Sequence, residues 1–315
     1  MMTYLEFEKP VAALMGQIDD LRKSAVNQEI DMDAEIAKLD AKASRQLRDI
    51  YGKLTPWQKT LVARHPDRPH FNQIVAGMFD EFMPLAGDRT MADDQAILGG
   101  LARMGSRRMV VIGHEKGHDT TSRLKHNFGM GKPEGYRKAQ RLMRLAERFG
   151  LPLVTLVDTS GAFPGIEAEE RGQAEAIARS TELCLALKVP TVAAIVGEGG
   201  SGGAVALAAA DHVLMLEHAV YSVISPEGCA SILWRTADKA ADAAAAMRVT
   251  AQDLAALKVI DEIVPEPLGG AHRDPDGAIL ALRSAIDSAL ARLGKLAPDV
   301  RMRAREEKFL DMGRV

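Results

Sequence analysis

The amino-acid sequence predicts an α/β fold in which helices cover a largely parallel sheet. Continuous apolar runs typical of buried strands, LPLVTLVD (151–158) and TVAAIVG (191–197), alternate with amphipathic helical segments. A strand–strand–helix unit comes first, because AILGGLARM and RRMVVIGH flank Gly105 and Ser106 as the arms of a β-hairpin would. This order of elements is typical of an α/β protein with a covered sheet.

Residues 1–55 are predicted to form a helical extension. Apolar residues recur at steps of three and four in residues 14–21 and again in residues 36–50, which places them on one face of each helix. The segment NQEIDMD between the two series is typical of a turn, and either Asp31 or Asp33 is a candidate cap for the second helix. This hairpin could pack on a core of its own or expose a face for contacts in an oligomer.

Beyond the loop ARHPDRPH (63–70) and the β-hairpin, helices and strands alternate. The helix EGYRKAQRLMRLAERFG is predicted to bury one face, Ala139, Leu142, Ala146 and Phe149, and to end at Gly150. The next segments are predicted as a helix (AEAIARSTELCLALKV), two strands (HVLMLE and AVYSVIS) and a helix that opens at PEGCASILW. The segment TAQDLAALKVIDEIVPEP is predicted as a helix capped by Thr250 and then a strand. An amphipathic helix from about residue 276 and a charged tail complete the predicted order.

The composition argues against several functional classes. Of the 315 residues, 40 are Lys or Arg and 43 are Asp or Glu, so the net charge of −3 gives no general reason to expect nucleic-acid or membrane binding. The N-terminus does not read as a signal peptide, and no apolar run is long enough to cross a bilayer. Cys184 and Cys229 lie far apart, which argues against a disulfide framework or a cysteine zinc site. We therefore expect a cytoplasmic protein.

Two loops are candidates for the functional site, DTSGAFPG (158–165) and GEGGSGGA (197–204). Each follows a buried strand, where α/β proteins usually build their sites. We find no serine nucleophile motif and no obvious carboxylate pair, so an enzymatic reaction would depend on oriented backbone N–H groups. Glycines that lead into a helix supply such groups together with the positive end of the helix dipole. Aimed at a developing negative charge, they would form an oxyanion hole.

Two further patterns are weaker. Gly197, Gly199 and Gly202 match a dinucleotide-binding G-x-G-x-x-G, with Glu217 as the acidic partner, but the helix that follows is short. HEKGH (114–118) matches the zinc-binding H-E-x-x-H, but it follows a strand and contains glycine, so its histidines would not share a helix face. We expect no metal site in this chain.

A basic cluster extends from Lys116 to Arg148. On the predicted helix it would form a solvated face. A binding site for a phosphate-rich ligand is the alternative.

Nearly the whole chain, from FEKP to about residue 275, resembles the alpha-subunit family of bacterial acetyl-CoA carboxylase carboxyltransferases. The segments that carry the resemblance are AILGGLARM, VVIGHEKG, NFGM, PEGYRKAQRLMRLAERFG, DTSGAFPG, AEERGQ, GEGGSGGA, YSVISPEGCASILW and IDEIVPEPLGGAH. Ser160 stands where the family usually has proline, which would make that loop less rigid. His118 is not a fixed feature of the family, which weakens the zinc interpretation further.

The resemblance implies a crotonase/ClpP-like spiral of β-β-α units. The helical extension (1–55) would precede a carboxyltransferase domain (56–300) and a charged C-terminal tail (301–315). An α₂β₂ heterotetramer is implied, in which the beta subunit carries zinc and most of the acetyl-CoA site. This chain would bind carboxybiotin presented by a biotin carboxyl carrier protein, which a biotin carboxylase loads. The carboxyl group would pass to acetyl-CoA and give malonyl-CoA for fatty acid biosynthesis.

The resemblance also assigns residues. The N–H groups of Gly202 and Gly203 would stabilise the oxyanion of the biotin ureido group. The residues expected to line the carboxybiotin pocket are Gly161, Ala162, Gly199, Gly200 and Ala204.

Three other functions stay open at this point. The first is a crotonase-fold hydratase or decarboxylase that acts alone, for which Glu198 and Glu227 are the evident acidic candidates. For Glu227 we favour a role as a helix cap. The second is a non-catalytic scaffold subunit, and the third is a nicotinamide-dependent dehydrogenase.

Overall fold

The computed structural model describes residues 3 to 28 and 32 to 314. Within this part of the chain, one sheet of eight strands forms the centre of the molecule. Its strands are β1 (Glu81–Pro84), β2 (Ile97–Met104), β3 (Arg107–His114), β4 (Leu153–Thr159), β5 (Thr191–Gly200), β6 (His212–Leu216), β7 (Val220–Ser222) and β8 (Glu262–Val264).

The strands follow one another across the sheet almost in chain order. The order is β1-β2-β3-β4-β5-β6-β8, and the short β7 pairs with the end of β5. Strands β1 to β3 are antiparallel, and the predicted hairpin around Gly105 is confirmed. From β3 onward each neighbour is parallel, as connections through covering helices require. Strands β4 and β5 are buried along their whole length, which confirms the covered sheet.

Helices lie on both faces of this sheet. At positions 99 and 113 the helices pack so closely on the sheet that only glycine fits. A Cβ on Gly99 would lie 2.6 Å from Leu142, and one on Gly113 would lie 2.6 Å from Phe71. The helices are α1 (Lys9–Gln28), α2 (Asp33–Tyr51), α3 (Pro56–Ala63), α4 (Phe71–Met78), α5 (Thr120–Lys125), α6 (Pro133–Phe149), α7 (Ile166–Glu170), α8 (Gln173–Ala186), α9 (Ser201–Ala208), α10 (Pro226–Trp234), α11 (Ala240–Met247), α12 (Ala251–Ala256), α13 (Pro275–Leu293) and α14 (Pro298–Asp311).

Helix α6 has the predicted amphipathic character and ends as predicted. Ala139, Leu142 and Ala146 are fully buried, and Gly150 adopts a left-handed conformation (φ +64°) just beyond the helix. Phe149 was expected on the same buried face and is 64% exposed. The periodicity continues to Phe149, but the helix reaches the surface in its last turn.

The N-terminal hairpin of α1 and α2 has a small core of its own. Val11, Leu47 and Tyr51 pack there with Val62 of α3. Helix α2 begins at Asp33, so its N-cap is Met32, and the expected cap at Asp33 is wrong. Asp31, the other candidate, lies outside the described residues. A role of this hairpin in oligomer contacts stays a prediction.

Helix caps elsewhere give a mixed result. Thr250 caps α12 as predicted, because its hydroxyl accepts a hydrogen bond from the N–H of Asp253. Helix α10 is capped by Ser225, whose hydroxyl accepts from the N–H of Gly228, so the cap expected from Glu227 is wrong. A serine placed directly before the helix reaches these N–H groups better than a side chain inside its first turn.

The charged C-terminal segment is a docked helix for most of its length. Arg301 and Arg305 of α14 are buried and lie 3.6 and 3.4 Å from the carboxylate of Asp211. Arg305 also donates to the carbonyl of Cys184 in α8. Helix α14 runs across the proposed boundary at residue 300, and that division stays a prediction. None of the described helices is both long and apolar enough to cross a membrane.

Candidate active site

The two predicted loops meet at the carboxyl-terminal edge of the sheet. Strands β4 and β5 are parallel neighbours, so the segments that leave them emerge side by side. A Cβ on Gly200 would overlap the carbonyl oxygen of Ser160, and one on Gly203 would lie 2.8 Å from the amide nitrogen of Ala162. The backbone of one loop rests on the backbone of the other, and this contact requires glycine at positions 200 and 203.

The residues predicted for the site come together at this junction. Gly202 and Gly203 follow Ser201, the first residue of α9, so their N–H groups belong to the turn that has no acceptors within the helix. These groups are available as donors at the positive end of the helix dipole. The residues that share the junction lie at the end of β5, in the first turn of α9 or in the loop after β4: Gly199, Gly200, Gly202, Gly203, Ala204, Gly161 and Ala162.

Ser201 turns the chain sharply from β5 into α9. Its φ of +51° is a left-handed conformation that residues other than glycine rarely adopt. Gly199-x-Ser201-x-Gly203 matches a nucleophile elbow, so the expectation that the chain has no serine nucleophile motif is wrong. The described residues that line the cavity beside Ser201 include no His, Asp or Glu. Without a base there, the turn does not form a nucleophile–base pair, and it serves to expose the first N–H groups of α9.

Asp158, near the end of β4, is the centre of a buried charged cluster. Its carboxylate is 1% exposed and accepts a hydrogen bond from His70 Nδ1 at 2.8 Å. Oδ1 lies 2.8 Å from Lys116 Nζ and accepts from the N–H of Glu198 at 2.9 Å. Burial alone would raise the pKa of Asp158, but Lys116 and His70 outweigh burial and hold that pKa well below its usual range. The ionised carboxylate therefore ties β4 to β5, to α4 and to the segment after β3.

Glu198 and Glu227, the candidates for acid–base catalysis, are held by the same guanidinium. Arg64 lies 2.7 Å from Glu198 Oε1 and 2.5 Å from Glu227 Oε1. Lys116 also lies 3.4 Å from Glu198. Burial alone would raise the pKa of Glu227, and its hydrogen bond with Arg64 lowers that pKa instead. Each carboxylate is therefore engaged through Oε1 by Arg64, whereas Oε2 of Glu227 is buried and has no hydrogen-bond partner among the described residues.

Two cavities open beside the junction of the loops. One, of about 450 Å³, has Lys116 and Arg123 in its wall and reaches Ser160. The other, of about 500 Å³, is mainly apolar, contains Tyr221 and reaches Ser201. The junction therefore lies between a charged space and an apolar space, each large enough for part of a small organic substrate.

The sequence and the geometry agree with one family of proteins. The family model described as acetyl co-enzyme A carboxylase carboxyltransferase-like matches residues 4–313. The chain belongs to this family. A protein of Sphingopyxis alaskensis named acetyl-coenzyme A carboxylase carboxyl transferase subunit alpha is 70% identical over 314 residues, which cover 100% of both chains. A protein of Zymomonas mobilis subsp. mobilis with the same name is 64% identical over 313 residues, which cover 99% of this chain and 100% of the relative.

Solved structures show that this member of the carboxyltransferase-like family shares the fold of other carboxyltransferases. Transcarboxylase 12S, with methylmalonyl-coenzyme A and methylmalonic acid bound, matches with a TM-score of 0.59 at 18% identity, over 72% of this chain and 42% of that one. The beta subunit of geranyl-CoA carboxylase from P. aeruginosa matches with a TM-score of 0.55 at 19% identity, over 75% and 44% of the two chains. The predicted crotonase-type fold is confirmed.

The HEKGH segment of this carboxyltransferase-like chain is not helical. His114 is the last residue of β3 and is buried, whereas the side chain of His118 is 74% exposed. Glu115 accepts hydrogen bonds from the N–H groups of Asn72 and Gly117, so it stabilises the turn between the histidines. The strand-to-loop context predicted for this segment is confirmed, and the segment lacks the i, i+4 helical geometry of H-E-x-x-H zinc sites.

Part of the basic cluster of residues 116–148 is structural, whereas Arg144 and Arg148 of α6 are exposed as predicted. Lys138 is buried and lies 2.5 Å from Asp93, and Arg137 lies 2.8 Å from Asp88. These pairs anchor the loop before β2 to helix α6. The prediction of a solvated face is wrong for Lys138, because its charge is neutralised inside the protein.

The dinucleotide pattern does not have the expected geometry either. Gly197 and Gly199 lie within β5 rather than in a loop that opens a helix. Glu217, the proposed ribose partner, accepts a hydrogen bond from the N–H of Glu266. The glycines of this stretch therefore serve close packing and the turn into α9.

The charged side chains that hold the site, His70 and Arg64 above all, are not predicted by any pattern in the sequence. Asp158 was within the predicted loop and carried the one available signal, a polar residue at the end of a buried strand. Its partner His70 is 88 residues away in sequence, so no local spacing could have indicated the pair.

Proposed function

We propose that this chain is the alpha subunit of an acetyl-CoA carboxylase carboxyltransferase. It would transfer the carboxyl group of carboxybiotin to acetyl-CoA, form malonyl-CoA and so take part in the first committed step of fatty acid biosynthesis. The full-length match to the family and the names of the relatives support this proposal. The observation that carries it is the glycine-rich first turn of α9, whose N–H groups have no acceptors within the helix and lie where the two loops meet.

These N–H groups match the chemistry of carboxyl transfer. Carboxybiotin supplies the carboxyl group when bound, and negative charge develops on its ureido oxygen as this group leaves. Gly202 and Gly203 would donate hydrogen bonds to that oxygen, and the dipole of α9 would add favourable potential. The loop of Gly161 and Ala162 would form the opposite wall of the pocket, with Gly199, Gly200 and Ala204 around it.

The reaction also requires that a proton leaves the methyl group of acetyl-CoA. Glu198 and Glu227 are held by Arg64, so we assign neither of them as the base. The biotin anion left after carboxyl release is itself basic enough to accept this proton. Under this proposal the chain contributes charge stabilisation and positioning rather than a side-chain base.

A partner subunit is implied by the word alpha in the names of the relatives, and an exposed apolar surface supports it. The consecutive residues Ile232, Leu233 and Trp234 of α10 are 71, 63 and 44% exposed, and Val223 is 80% exposed. Val223 also lines the apolar cavity that reaches Ser201. Consecutive exposed apolar side chains such as Ile232 to Trp234 mark protein interfaces more often than free surfaces. We propose that this surface, Val223 with Ile232 to Trp234, contacts a beta subunit in an α₂β₂ heterotetramer.

The remaining partners and groups follow from the same proposal. Carboxybiotin would arrive on a biotin carboxyl carrier protein that a biotin carboxylase loads, and zinc would belong to the beta subunit. Within the described residues, no group of His, Cys, Asp and Glu side chains is arranged to hold a metal ion. Cys184 and Cys229 are free thiols, which is consistent with the cytoplasmic location that we propose.

Reconstitution tests this function. The purified chain is mixed with the beta subunit encoded by the same organism, and malonyl-CoA-dependent carboxylation of free biotin is measured. We expect turnover only when both subunits are present. Carboxyl transfer by the purified chain alone, or hydration or decarboxylation of acyl-CoA by it, would contradict the proposal.

A further inference from the structure

Strand β5 is irregular opposite Asp158, just before the glycine-rich turn. Val157 of β4 pairs with Ile195, and Thr159 pairs with Gly199. One residue of β4, Asp158, therefore faces the three residues of β5 from 196 to 198. Extra residues of this kind bulge out of the ladder and leave backbone groups without strand partners.

Two side chains each satisfy one backbone group of this bulge. The carboxylate of Asp158 accepts a hydrogen bond from the N–H of Glu198 at 2.9 Å, and Arg68 Nε donates to the carbonyl of Val196 at 2.7 Å. Between these two contacts lies Gly197, where a Cβ would overlap Oδ1 of Asp158. The bulge is therefore built around the carboxylate of Asp158, and Gly197 provides the space for it.

The carboxylate is itself fixed from two other elements. His70, the residue before α4, lies 2.8 Å from Oδ2, and Lys116, after β3, lies 2.8 Å from Oδ1. Lys116 also lies 3.4 Å from the side chain of Glu198, and the N–H of that same residue donates a hydrogen bond to the carboxylate of Asp158. A side chain held on both oxygens and buried from water has one position, so it can define the path of the strand beside it.

The bulge lies directly before the proposed donors, because Glu198 is four residues from Gly202. A bulge bends its strand and changes where the following residues point. We propose that Asp158 is a positioning residue, whose carboxylate replaces the missing ladder partner of β5 and thereby fixes the direction of the N–H groups of Gly202 and Gly203. This inference rests on the proposed function, in which those N–H groups stabilise the biotin oxyanion.

The test uses the reconstituted complex of this chain with its beta subunit. Asp158→Ala should lower kcat by about 10²-fold, the cost of a donor misplaced by about 1 Å, and leave KM for biotin nearly unchanged. Asp158→Asn should retain most of the turnover, because its amide oxygen can still accept from the N–H of Glu198. Asp211→Asn is the matched control, since Asp211 is a buried carboxylate that accepts from the N–H of Thr191 at the opposite end of β5. This control should lower the melting temperature and keep kcat.

A double-mutant cycle separates positioning from a general loss of structure. Gly202→Pro removes one proposed donor. If Asp158 acts through that donor, Asp158→Ala should reduce kcat much less in the Gly202→Pro background than in the wild type. If Asp158→Ala does not assemble, Gly197→Ala replaces it, because the added methyl pushes the carboxylate away from the N–H of Glu198 without removing its charge.

The possible results differ for the two proposals. A wild-type complex without carboxyl transfer would contradict the proposed function. An active wild-type complex in which Asp158→Ala or Gly197→Ala keeps the wild-type kcat would overturn the positioning role. If the effects of Asp158→Ala and Gly202→Pro on kcat are fully additive, the positioning role is overturned as well.

Discussion

Arg68 and Glu266 form a fully buried ion pair beneath the site. The guanidinium donates two hydrogen bonds to the carboxylate, at 2.9 and 2.6 Å, and neither side chain is exposed to solvent. Arg68 also donates to the carbonyl of Val196 in the bulge of β5. The pair therefore joins the segment before α4 to the strand that leads into the glycine-rich turn.

Glu266→Gln should destabilise the protein by about 3 kcal/mol at pH 7, because it leaves the charge of Arg68 buried without its partner. Urea unfolding measures the difference. Glu182→Gln is the control, because Glu182 pairs with Arg179 on the surface. Ion pairs exposed on the surface contribute little to stability, so we expect no measurable change in the free energy of unfolding of Glu182→Gln. Equal stability of Glu266→Gln and the wild type would contradict the prediction.

The same pair predicts a pH dependence. Burial alone would raise the pKa of Glu266, but Arg68 outweighs burial and lowers that pKa from 4.5 to about 2. Between pH 4.5 and about pH 2, the carboxylate of Glu266 stays ionised in the folded protein but takes up a proton in the unfolded chain. The contribution of this ion pair to the free energy of unfolding is therefore complete above pH 4.5 and is lost as the pH falls toward 2. The unfolding free energy of Glu266→Gln should vary less than that of the wild type across this window.

Local patterns predicted the elements and the position of the site, but not what holds the site together. The parallel order of β4 and β5 follows from apolar runs separated by a helix, and it places Gly161 beside Gly203 without further information. The ion pair of Arg64 with Glu227 spans 163 residues, so no spacing rule could find it. For the same reason Glu227 was interpreted as a local helix cap.

Metal analysis tests the interpretation of HEKGH. His114 is buried at the end of a strand and His118 is exposed on a loop, so the two imidazoles do not share a helix face. Elemental analysis of the isolated chain should find zinc well below one equivalent. The melting temperature should be the same before and after treatment with a chelator. One equivalent of zinc that disappears in His114→Ala would contradict this prediction.

The apolar surface on α10 predicts a variant that affects assembly alone. Leu233→Asp should weaken binding of the beta subunit by about 30-fold or more, the effect of losing one interface hot spot. Its own melting temperature should not fall, because the side chain is 63% exposed in this chain. Leu280→Asp on α13 is the matched control, since Leu280 is 68% exposed, and it should assemble normally. Analytical ultracentrifugation with the beta subunit distinguishes the two variants, and equal affinities would exclude this surface as the interface.

Gly202 and Gly203 differ in the space beside them, which decides how the proposed donors can be tested. A Cβ on Gly202 would have Ile177 as its nearest neighbour, at 3.4 Å, whereas one on Gly203 would lie 2.8 Å from the amide nitrogen of Ala162. Any side chain at residue 203 therefore disturbs the contact between the loops. Gly203→Ala should lower the melting temperature, so residue 202 offers the cleaner test of an N–H group.

Gly202→Pro removes one N–H in the first turn of α9, where proline is tolerated. Ser201 before it has a φ of +51°, outside the extended region that a following proline favours, so the melting temperature of Gly202→Pro is measured together with its turnover. We expect kcat for carboxyl transfer to fall by about 10²–10³, the loss for one oxyanion donor. Gly202→Ala is the matched control, because it adds a Cβ at the same place and keeps the N–H, so its turnover should stay near that of the wild type. If both variants assemble and turn over equally, the N–H of Gly202 is not a donor to the oxyanion.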